Sequence, residues 1–257
     1  MGAASALLIV ARILALLSLV QAYEFIRLRS AFNDRSGVWR WPELETETIG
    51  RSAVARRIFR TVLSGHGFLV CNILRIALAG AAVAAPTGPL MAGLLVLHSL
   101  TLIRWQGSFN GGSDYMALLL LAIATAALYV KPASTTILLW YVSFQACASY
   151  VKAGWAKIKN RSWRQGTALR DFLRSAEYES SALIERLTKF VSLNKLSSWI
   201  VIVFELTFPL SLLGPRICIA YIAVGCGFHL ANSYALGLNR FVFAWLAAYP
   251  ALYFCSQ

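Results

Sequence analysis

Long apolar stretches recur along the whole chain and dominate its pattern of hydrophobic and polar positions. A helix of about 20 apolar residues crosses the roughly 30 Å of hydrocarbon in a bilayer. A membrane β-barrel would instead show alternating segments of about 10 residues, and no such alternation is present. The pattern therefore predicts an all-α, polytopic helical membrane bundle of about eight transmembrane helices, at about residues 3–26, 66–85, 88–104, 114–131, 134–154, 196–214, 216–235 and 238–255.

The composition favours the same class of protein. Of the 257 residues, 58% are hydrophobic and only 14% are charged, whereas a soluble domain carries about 25% charged residues. The first apolar segment has a sequence like a signal-cleavage site at residues 20–22, but no Lys or Arg precedes the segment and Arg12 interrupts it. We therefore expect a retained span and a single transmembrane domain over residues 1–257.

The net charge of +13 is concentrated in two loops, at about residues 27–65 and 155–195. Basic loops between spans stay on the cytoplasmic side, so we expect both loops in the cytoplasm and both termini outside. Since topology accounts for the charge, and no zinc-knuckle spacing or basic helix with interleaved aromatics is present, nucleic acid is not an expected partner. Residues 52–62 are predicted to form a basic amphipathic helix on the membrane surface.

The cysteines and histidines give no sign of a redox or metal centre. All five cysteines fall in apolar segments and none forms a CxxC pair, so we expect small packing residues rather than a thiol–disulfide enzyme. The three histidines are scattered, with no second ligand at helical spacing, and no metal is expected. These residues are Cys71, Cys147, Cys218, Cys226, Cys255, His66, His98 and His229.

Residues 150–166, YVKAGWAKIKNRSWRQG, begin in an apolar span and turn basic. Tyr150, Gly154 and Lys157 stand at i, i+4 and i+7, so a continuous helix places a phenol, a close-approach point and an amine on one face. Lys157 has two interpretations. It is an anchor whose ammonium reaches the headgroups, or an amine that loses its charge away from water and removes a proton from a bound substrate. Lys152 lies deeper in the span but off this face.

Glu205 lies in the middle of an apolar span, four residues before Pro209. A carboxylate inside a membrane needs a partner. A structural ion pair with Arg75, Arg12 or Lys152 is one interpretation, and a site carboxylate that orients a lysine or a substrate is the other. Proline removes a backbone donor, so we expect the helix to be kinked between Glu205 and Pro209.

Two further polar motifs fall in or beside spans. His229, Asn232 and Ser233 stand at i, i+3 and i+4 on one helix face. They form either an interhelical hydrogen-bond cluster or the wall of a polar pocket. The turn at residues 108–114, SFNGGSD, contains two glycines that permit unusual backbone angles. Asp114 in this turn either caps the next span or reaches the site.

These motifs together resemble the HTTM domain, the membrane module shared with vitamin K-dependent γ-glutamyl carboxylases. The likeness covers most of the chain, although each motif is short. The family's Tyr-x-x-Ala-Gly-x-x-Lys run, followed by Trp and Gly, matches here with about one extra residue before the Trp. Its Glu-x-x-x-Pro, its His-x-x-Asn-Ser run and its Asn-rich turn match as well. The matching residues are Tyr150, Ala153, Gly154, Lys157, Trp163, Gly166, Glu205, Pro209, His229, Asn232, Ser233 and the turn from Asn110 to Asp114.

In the carboxylases the matched lysine deprotonates reduced vitamin K, so the resemblance implies that Lys157 is a base and that a reduced, vitamin K-like quinone is the cofactor. It also implies that Glu205 and His229 belong to the catalytic site. The residues that it implies for substrate binding are Tyr150, Gly154, Trp163, Asn110, Asp114, Asn232 and Ser233.

Two departures from the carboxylases count against glutamate carboxylation itself. The chain has Gly111 and Gly112 where the carboxylases have a histidine, and it lacks their large extramembrane peptide-binding domain. It is more similar to small bacterial members, including those that mature secreted peptides such as the sporulation-delaying protein. We therefore expect a bacterial cytoplasmic-membrane protein whose partners are the bilayer, a secreted peptide substrate and a subunit that supplies peptide binding.

Other functions stay open at this point. In a non-catalytic membrane subunit, such as an immunity or assembly factor, Lys157 needs only to be a long cation. DoxX/MauE-like quinone-associated proteins also carry an Ala-Gly-x-x-Lys run, but they usually have about four spans. A transporter would favour inverted repeats and unwound helices at mid-membrane, and neither is clear in the sequence.

Overall fold

The computed structural model describes residues 1–45, 52–107, 111–175 and 182–257. Within these ranges the regular structure is helical and contains no strand, so the all-α prediction is confirmed. Short 3₁₀ segments lie at Arg29–Phe32 and Phe208–Leu213. The helices are α1 Ala3–Arg27, α2 Trp41–Glu45, α3 Ala53–Leu63, α4 Gly65–Ala84, α5 Gly88–Arg104, α6 Gly111–Ala127, α7 Pro132–Lys159, α8 Arg161–Arg164, α9 Thr167–Leu173, α10 Ala182–Leu187, α11 Val191–Thr207, α12 Pro215–Leu236, α13 Asn239–Leu246 and α14 Tyr249–Cys255.

Four of the described helices are long and apolar enough to cross a membrane. They are α1, α4, α12, and α11 together with its 3₁₀ continuation. Helices α5 and α6 are shorter and also apolar. These helices confirm a helical membrane protein, while the number of eight crossings stays a prediction.

Two helix boundaries differ from the bounds of the predicted spans. The fifth span was expected to end at residue 154, but α7 continues through Lys159, where Asn160 ends it and caps α8 by accepting a hydrogen bond from the Ser162 amide. The last span, expected over residues 238–255, is divided into α13 and α14. Pro250 lies in the first turn of α14, where a missing N–H is tolerated, whereas inside a continuous helix it would remove a hydrogen bond.

The break expected near Pro209 is present. The α-helical hydrogen-bond pattern of α11 ends at Thr207, and the chain continues as a 3₁₀ helix through Leu213. Phe204 and Glu205, shortly before the break, are buried. Glu205 therefore projects from the last α-helical turn before the chain changes its helical geometry.

The helices group into two compact units. One comprises Met1–Ala6 and Thr136–Gln257, and the other comprises Leu7–Thr135. In the first unit, α12 packs against α13, α14 and the 3₁₀ segment, while α11 packs against α8 and α9. The amino group of Met1 lies 2.5 Å from Oε1 of Gln257, so the two ends of the chain lie together.

In the second unit, α5 packs against α4 and α6, and a buried arginine ties helices together. Arg75 on α4 donates hydrogen bonds to Oε1 of Gln21 on α1 (2.7 Å) and to Oγ1 of Thr101 on α5 (2.6 Å). It also donates to the carbonyl of Leu97, at 2.5 Å. The guanidinium of Arg75 therefore makes these hydrogen bonds to residues of the same unit.

Candidate functional site

Lys157 and Glu205 form a buried ion pair between α7 and α11. The ammonium of Lys157 donates to both carboxylate oxygens of Glu205, each at 2.7 Å. Only 4% of the Glu205 side chain and 18% of the Lys157 side chain are exposed. Two charges at this distance and depth attract each other strongly, but each is costly to leave without its partner. Among the residues that the structure describes, this is the one ion pair that joins α7 to α11.

Gly154 allows α7 and α11 to approach each other next to this pair. A Cβ atom at Gly154 would stand 3.0 Å from Cβ of Glu205 and 3.0 Å from the backbone nitrogen of Leu206. Few Cβ atoms in proteins have neighbours that close. The close-approach point expected from the Tyr150–Gly154–Lys157 spacing is thus where α7 meets α11.

Gly154→Ala is expected to lower the free energy of unfolding by about 1–3 kcal/mol, because the added methyl group overpacks a rigid helix contact. SDS titration in mixed micelles measures this loss. Gly227→Ala is the matched control, since a Cβ atom at Gly227 on α12 has no heavy atom within 4 Å. An equal effect of the two substitutions would show that the close contact at Gly154 is not what limits the packing.

Trp163 also lies against the Lys157 ammonium. The centroid of its ring lies 5.3 Å from Nζ of Lys157, within the range of a cation–π attraction. Its backbone carbonyl accepts a hydrogen bond from Ser198 Oγ on α11, at 2.5 Å. Trp199 Nε1 donates to the carbonyl of Arg164, at 3.1 Å. These bonds fix α8, and with it Trp163, onto α11.

Gly166 explains why the chain can turn so closely past α11. Its φ of +77° lies in the left-handed region, where a side chain is strained. A Cβ atom there would also lie 2.4 Å from the backbone nitrogen of Lys195. Gly166, the residue that matches the glycine of the family's motif, is therefore required here because a larger residue would be strained and would clash with the backbone of α11.

Tyr150, His229 and Tyr249 form a second polar group, in which Tyr150 contacts both of the others. The Tyr150 hydroxyl lies 2.7 Å from Nε2 of His229 on α12 and 2.8 Å from the hydroxyl of Tyr249 on α14. All three residues are buried. The ring of Tyr150 stacks on Phe208 with centroids 3.8 Å apart, and the His229 ring stacks on Trp245. The phenol therefore links α7 to α12 and α14 inside the first unit.

The three side chains of this group carry one more polar hydrogen than the hydrogen bonds among them can use. Tyr150, Tyr249 and a neutral His229 carry three polar hydrogens between them, but they share two hydrogen bonds. If Tyr150 donates to His229, the proton on Nδ1 of His229 has no acceptor among the described residues. If instead His229 donates to Tyr150 and Tyr150 donates to Tyr249, the hydroxyl hydrogen of Tyr249 has no acceptor among the described residues. The group can therefore donate to one oxygen that the described residues do not supply.

The two polar groups share one helix interface. Tyr150 packs edge-to-face on Phe204, with ring centroids 5.5 Å apart, and Phe204 precedes Glu205 in α11. Tyr150, Gly154 and Lys157 thus meet three successive α11 residues, Phe204, Glu205 and Leu206. The structure brings together the predicted residues Tyr150, Gly154, Lys157, Trp163, Glu205 and His229.

The remaining predicted site residues are Asn232, Ser233, Asp114 and Asn110. Asn232 is partly buried on α12, and Ser233 donates to Oδ1 of Asn239 at 2.7 Å, near the start of α13. Asp114 is a buried residue of the second unit, in the first turn of α6 rather than at its cap. There its carboxylate accepts a hydrogen bond from Nε2 of Gln21, at 3.3 Å. Asn110 lies outside the described residues.

The expected alternative partners of Glu205 were wrong. Arg75 is bonded to Gln21, Leu97 and Thr101, and Arg12 lies within weak hydrogen-bond distance of the Ala84 carbonyl, at 3.5 Å. Lys152 is exposed on α7. The sequence places these cations at plausible depths, but only packing of α7 on α11 selects Lys157.

Tyr249 and Trp245 belong to the site and were not identified from the sequence. Both sit in an aromatic-rich apolar segment, where the same residue types usually pack as core. One signal was available. A tyrosine deep in an apolar segment needs a partner for its hydroxyl, and Tyr150 offers one.

An apolar groove of about 480 Å³ runs along α11 and α12 beside this interface. Phe204 is the shared wall, because its ring lines the groove and also packs on Tyr150. Thr207, which lines the groove as well, uses its hydroxyl to bond the carbonyl of Val203. The groove therefore offers mainly hydrocarbon and aromatic surface, with lining residues Leu196, Trp199, Ile200, Val203, Phe204, Thr207, Ala220, Tyr221 and Val224.

A family model described as the HTTM domain matches residues 122–257, just over half of the chain. The matched segment contains the ion pair, the Tyr150 group and the groove. Asn110 and Asp114 precede it. No curated protein and no solved structure matches the chain.

Proposed function

The chain belongs to the HTTM-domain family, and on that premise we propose that it is a membrane enzyme, or the membrane subunit of one, in which Lys157 removes a proton from a bound substrate. The observation that carries this proposal is the Lys157–Glu205 pair. It places an amine in contact with a buried carboxylate and with an aromatic ring, on the same helix as the buried Tyr150. A lysine that only anchored a helix would have no need of a carboxylate buried in the adjacent helix.

Glu205 has two roles in this account. Its two oxygens hold the Lys157 nitrogen in one position, which fixes the direction from which a substrate proton is taken. Its carboxylate is also the nearest acceptor for the proton that the ammonium must lose first. After that transfer, Glu205 is a neutral acid and Lys157 is a neutral amine, whose lone pair accepts the substrate proton once it turns from Glu205 to the substrate.

Tyr150, His229 and Tyr249 then supply the polar contact for the substrate. The one hydrogen in this group without an acceptor is suited to an oxygen of the substrate. A donor already held by packing and stacking stabilises negative charge that develops on such an oxygen, because little reorganisation is needed. The group is thus proposed to orient and polarise the molecule that Lys157 deprotonates.

The residues beside the site fit a reduced quinone. The groove on α11 and α12 is apolar and about 480 Å³ in volume, which suits a ring with an isoprenoid tail. Phe204 and Tyr221 stack on each other with centroids 6.0 Å apart and give it aromatic walls. When bound, a reduced quinone supplies an ionisable hydroxyl and two reducing equivalents. We propose that Phe204, Tyr221 and Val203 hold its ring or tail and that Lys157 accepts its hydroxyl proton.

The proposed product is a modified secreted peptide, and a partner subunit supplies the surface that binds it. We further propose a bacterial cytoplasmic membrane, with the basic loops in the cytoplasm and the termini outside. The contact between Met1 and Gln257 supports the termini lying on one side, as an even number of crossings requires. The basic residues at the end of α7 and just after it, including Lys159, Arg161 and Arg164, support a cytoplasmic location for that loop.

Mass spectrometry of secreted peptides tests this function. The protein is produced in a bacterial host together with the genes that flank its own, and the peptide masses are compared with those from a host that lacks only this protein. We expect one peptide to change mass when the protein is absent. Identical peptide spectra from both hosts would contradict a maturation enzyme.

One observation favours a second function, that of a non-catalytic subunit. The ammonium of Lys157 already has two carboxylate contacts and an aromatic neighbour, so the pair serves equally well as a clamp between α7 and α11. In that role any cation that reaches Glu205 suffices. Lys157→Arg separates the two functions, as argued below.

A further inference from the structure

Helix α3, Ala53–Leu63, has two distinct faces. Successive residues of an α-helix are rotated by about 100° about its axis, so the three arginines of α3 fall within one arc of about 100°. Apolar side chains occupy most of the remaining circumference of the helix. Part of the apolar side is not covered by protein, since Val54 is 70% exposed and Ile58 is 55% exposed. Leu63, at the end of the helix, is fully buried. The helix is thus amphipathic, with an open apolar strip next to its arginines.

The position of α3 is set by the span that follows it. Only Ser64 separates α3 from α4, the 20-residue apolar helix Gly65–Ala84. Ser64 caps α4 by accepting a hydrogen bond from the Gly67 amide, and Asp34 Oδ2 accepts one from the Gly65 amide at 2.9 Å. Since α4 has the length and composition of a membrane span, we expect the end of α3 that adjoins it to lie where that span begins.

The three arginines of α3 differ in their partners. Arg60 forms a bidentate pair with Glu45. Arg56 and Arg57 are exposed and have no carboxylate partner among the residues that the structure describes. All three line an open groove of about 800 Å³ together with Pro42 and Glu45. Arg56 and Arg57 therefore face one groove, and the described residues, which do not include 46–51, offer their guanidinium groups no carboxylate.

We propose that α3 binds the phosphate groups of anionic phospholipids through Arg56 and Arg57, with Val54 and Ile58 inserted among the acyl chains. An arginine fork matches phosphate oxygens bidentately. The continuity of α3 with α4 keeps the helix at headgroup depth, where the local concentration of lipid phosphate is high. The exposed apolar strip favours a lipid over a soluble anion, because free phosphate has nothing to place against Val54 and Ile58.

Native mass spectrometry of the full-length protein in zwitterionic detergent tests this site. The protein is titrated with dioctanoyl phosphatidylglycerol and, separately, with dioctanoyl phosphatidylcholine. We expect retention of the anionic lipid and little of the zwitterionic one. The double variant Arg56→Gln/Arg57→Gln should lower the affinity for phosphatidylglycerol about twenty-five-fold, since each arginine near an anionic surface contributes a factor of about five.

Two matched variants separate specific binding from net charge and from misfolding. Lys189→Gln/Lys195→Gln removes the same charge from exposed lysines of the other unit, and it should leave the affinity unchanged. Arg56→Lys/Arg57→Lys keeps the charge but not the bidentate fork, so it should lower the affinity less than Arg56→Gln/Arg57→Gln does. Equal retention of the two lipids, or an equal loss in the two Gln double variants, would overturn the proposal.

Two competitors decide between the lipid and other anionic ligands. We expect neither millimolar inorganic phosphate nor millimolar polyglutamate to displace the bound phosphatidylglycerol. Displacement by phosphate would make this a site for a soluble anion, and displacement by polyglutamate would make it a surface for acidic peptides. Either displacement would overturn the lipid assignment.

Discussion

Lys157→Ala is expected to lower the free energy of unfolding by about 3 kcal/mol. The substitution leaves the carboxylate of Glu205 at 4% exposure without the cation that balances it, and removing one partner of a buried pair costs about 3–5 kcal/mol. The lower end applies because Lys157 itself is 18% exposed, so water reaches part of the site. SDS titration of the purified protein in mixed micelles measures the difference.

The double variant Lys157→Met/Glu205→Leu is the control for this prediction. It removes both charges and replaces them with apolar side chains of similar size, which is often close to neutral for stability. We expect its free energy of unfolding to lie within about 1 kcal/mol of the wild-type value. If Lys157→Ala is as stable as the wild-type protein, the two side chains do not form a buried pair in the membrane.

Lys157→Arg is expected to lower activity by a factor of about 10²–10⁴, the usual contribution of a general base, while the protein stays folded. Arginine keeps a cation opposite Glu205, so the clamp between α7 and α11 is preserved. A guanidinium does not lose its proton in a protein, so it cannot act as the base. The measurement is the fraction of secreted peptide that carries the modification.

The spacing of residues along α7 was enough to predict which of its side chains share a face. Tyr150, Gly154 and Lys157 all point to α11, because a continuous helix fixes their relative directions and α7 is continuous there. The membrane class and most helix positions followed from apolar length alone. The amphipathic helix expected at residues 52–62 is present as α3.

Contacts between distant segments could not be predicted in this way. As a structural ion pair, Glu205 was expected to contact Arg75, Arg12 or Lys152, whereas the structure pairs it with Lys157. Depth in the membrane does not determine which helices are neighbours. Pro250 divides the last apolar segment, although its apolar length is that of one span. Tyr249 joins Tyr150 only because α14 follows this break.

The most direct test of Lys157 as a base compares secreted peptides from hosts that carry wild-type protein, Lys157→Arg or Lys152→Arg. Lys152 lies on the same helix and is exposed, so it controls for the exchange of a lysine for an arginine. The account predicts that the modified peptide is present with the wild-type and Lys152→Arg proteins and absent with Lys157→Arg at equal protein levels. Undiminished modification with Lys157→Arg would contradict it, since position 157 would then need only a positive charge.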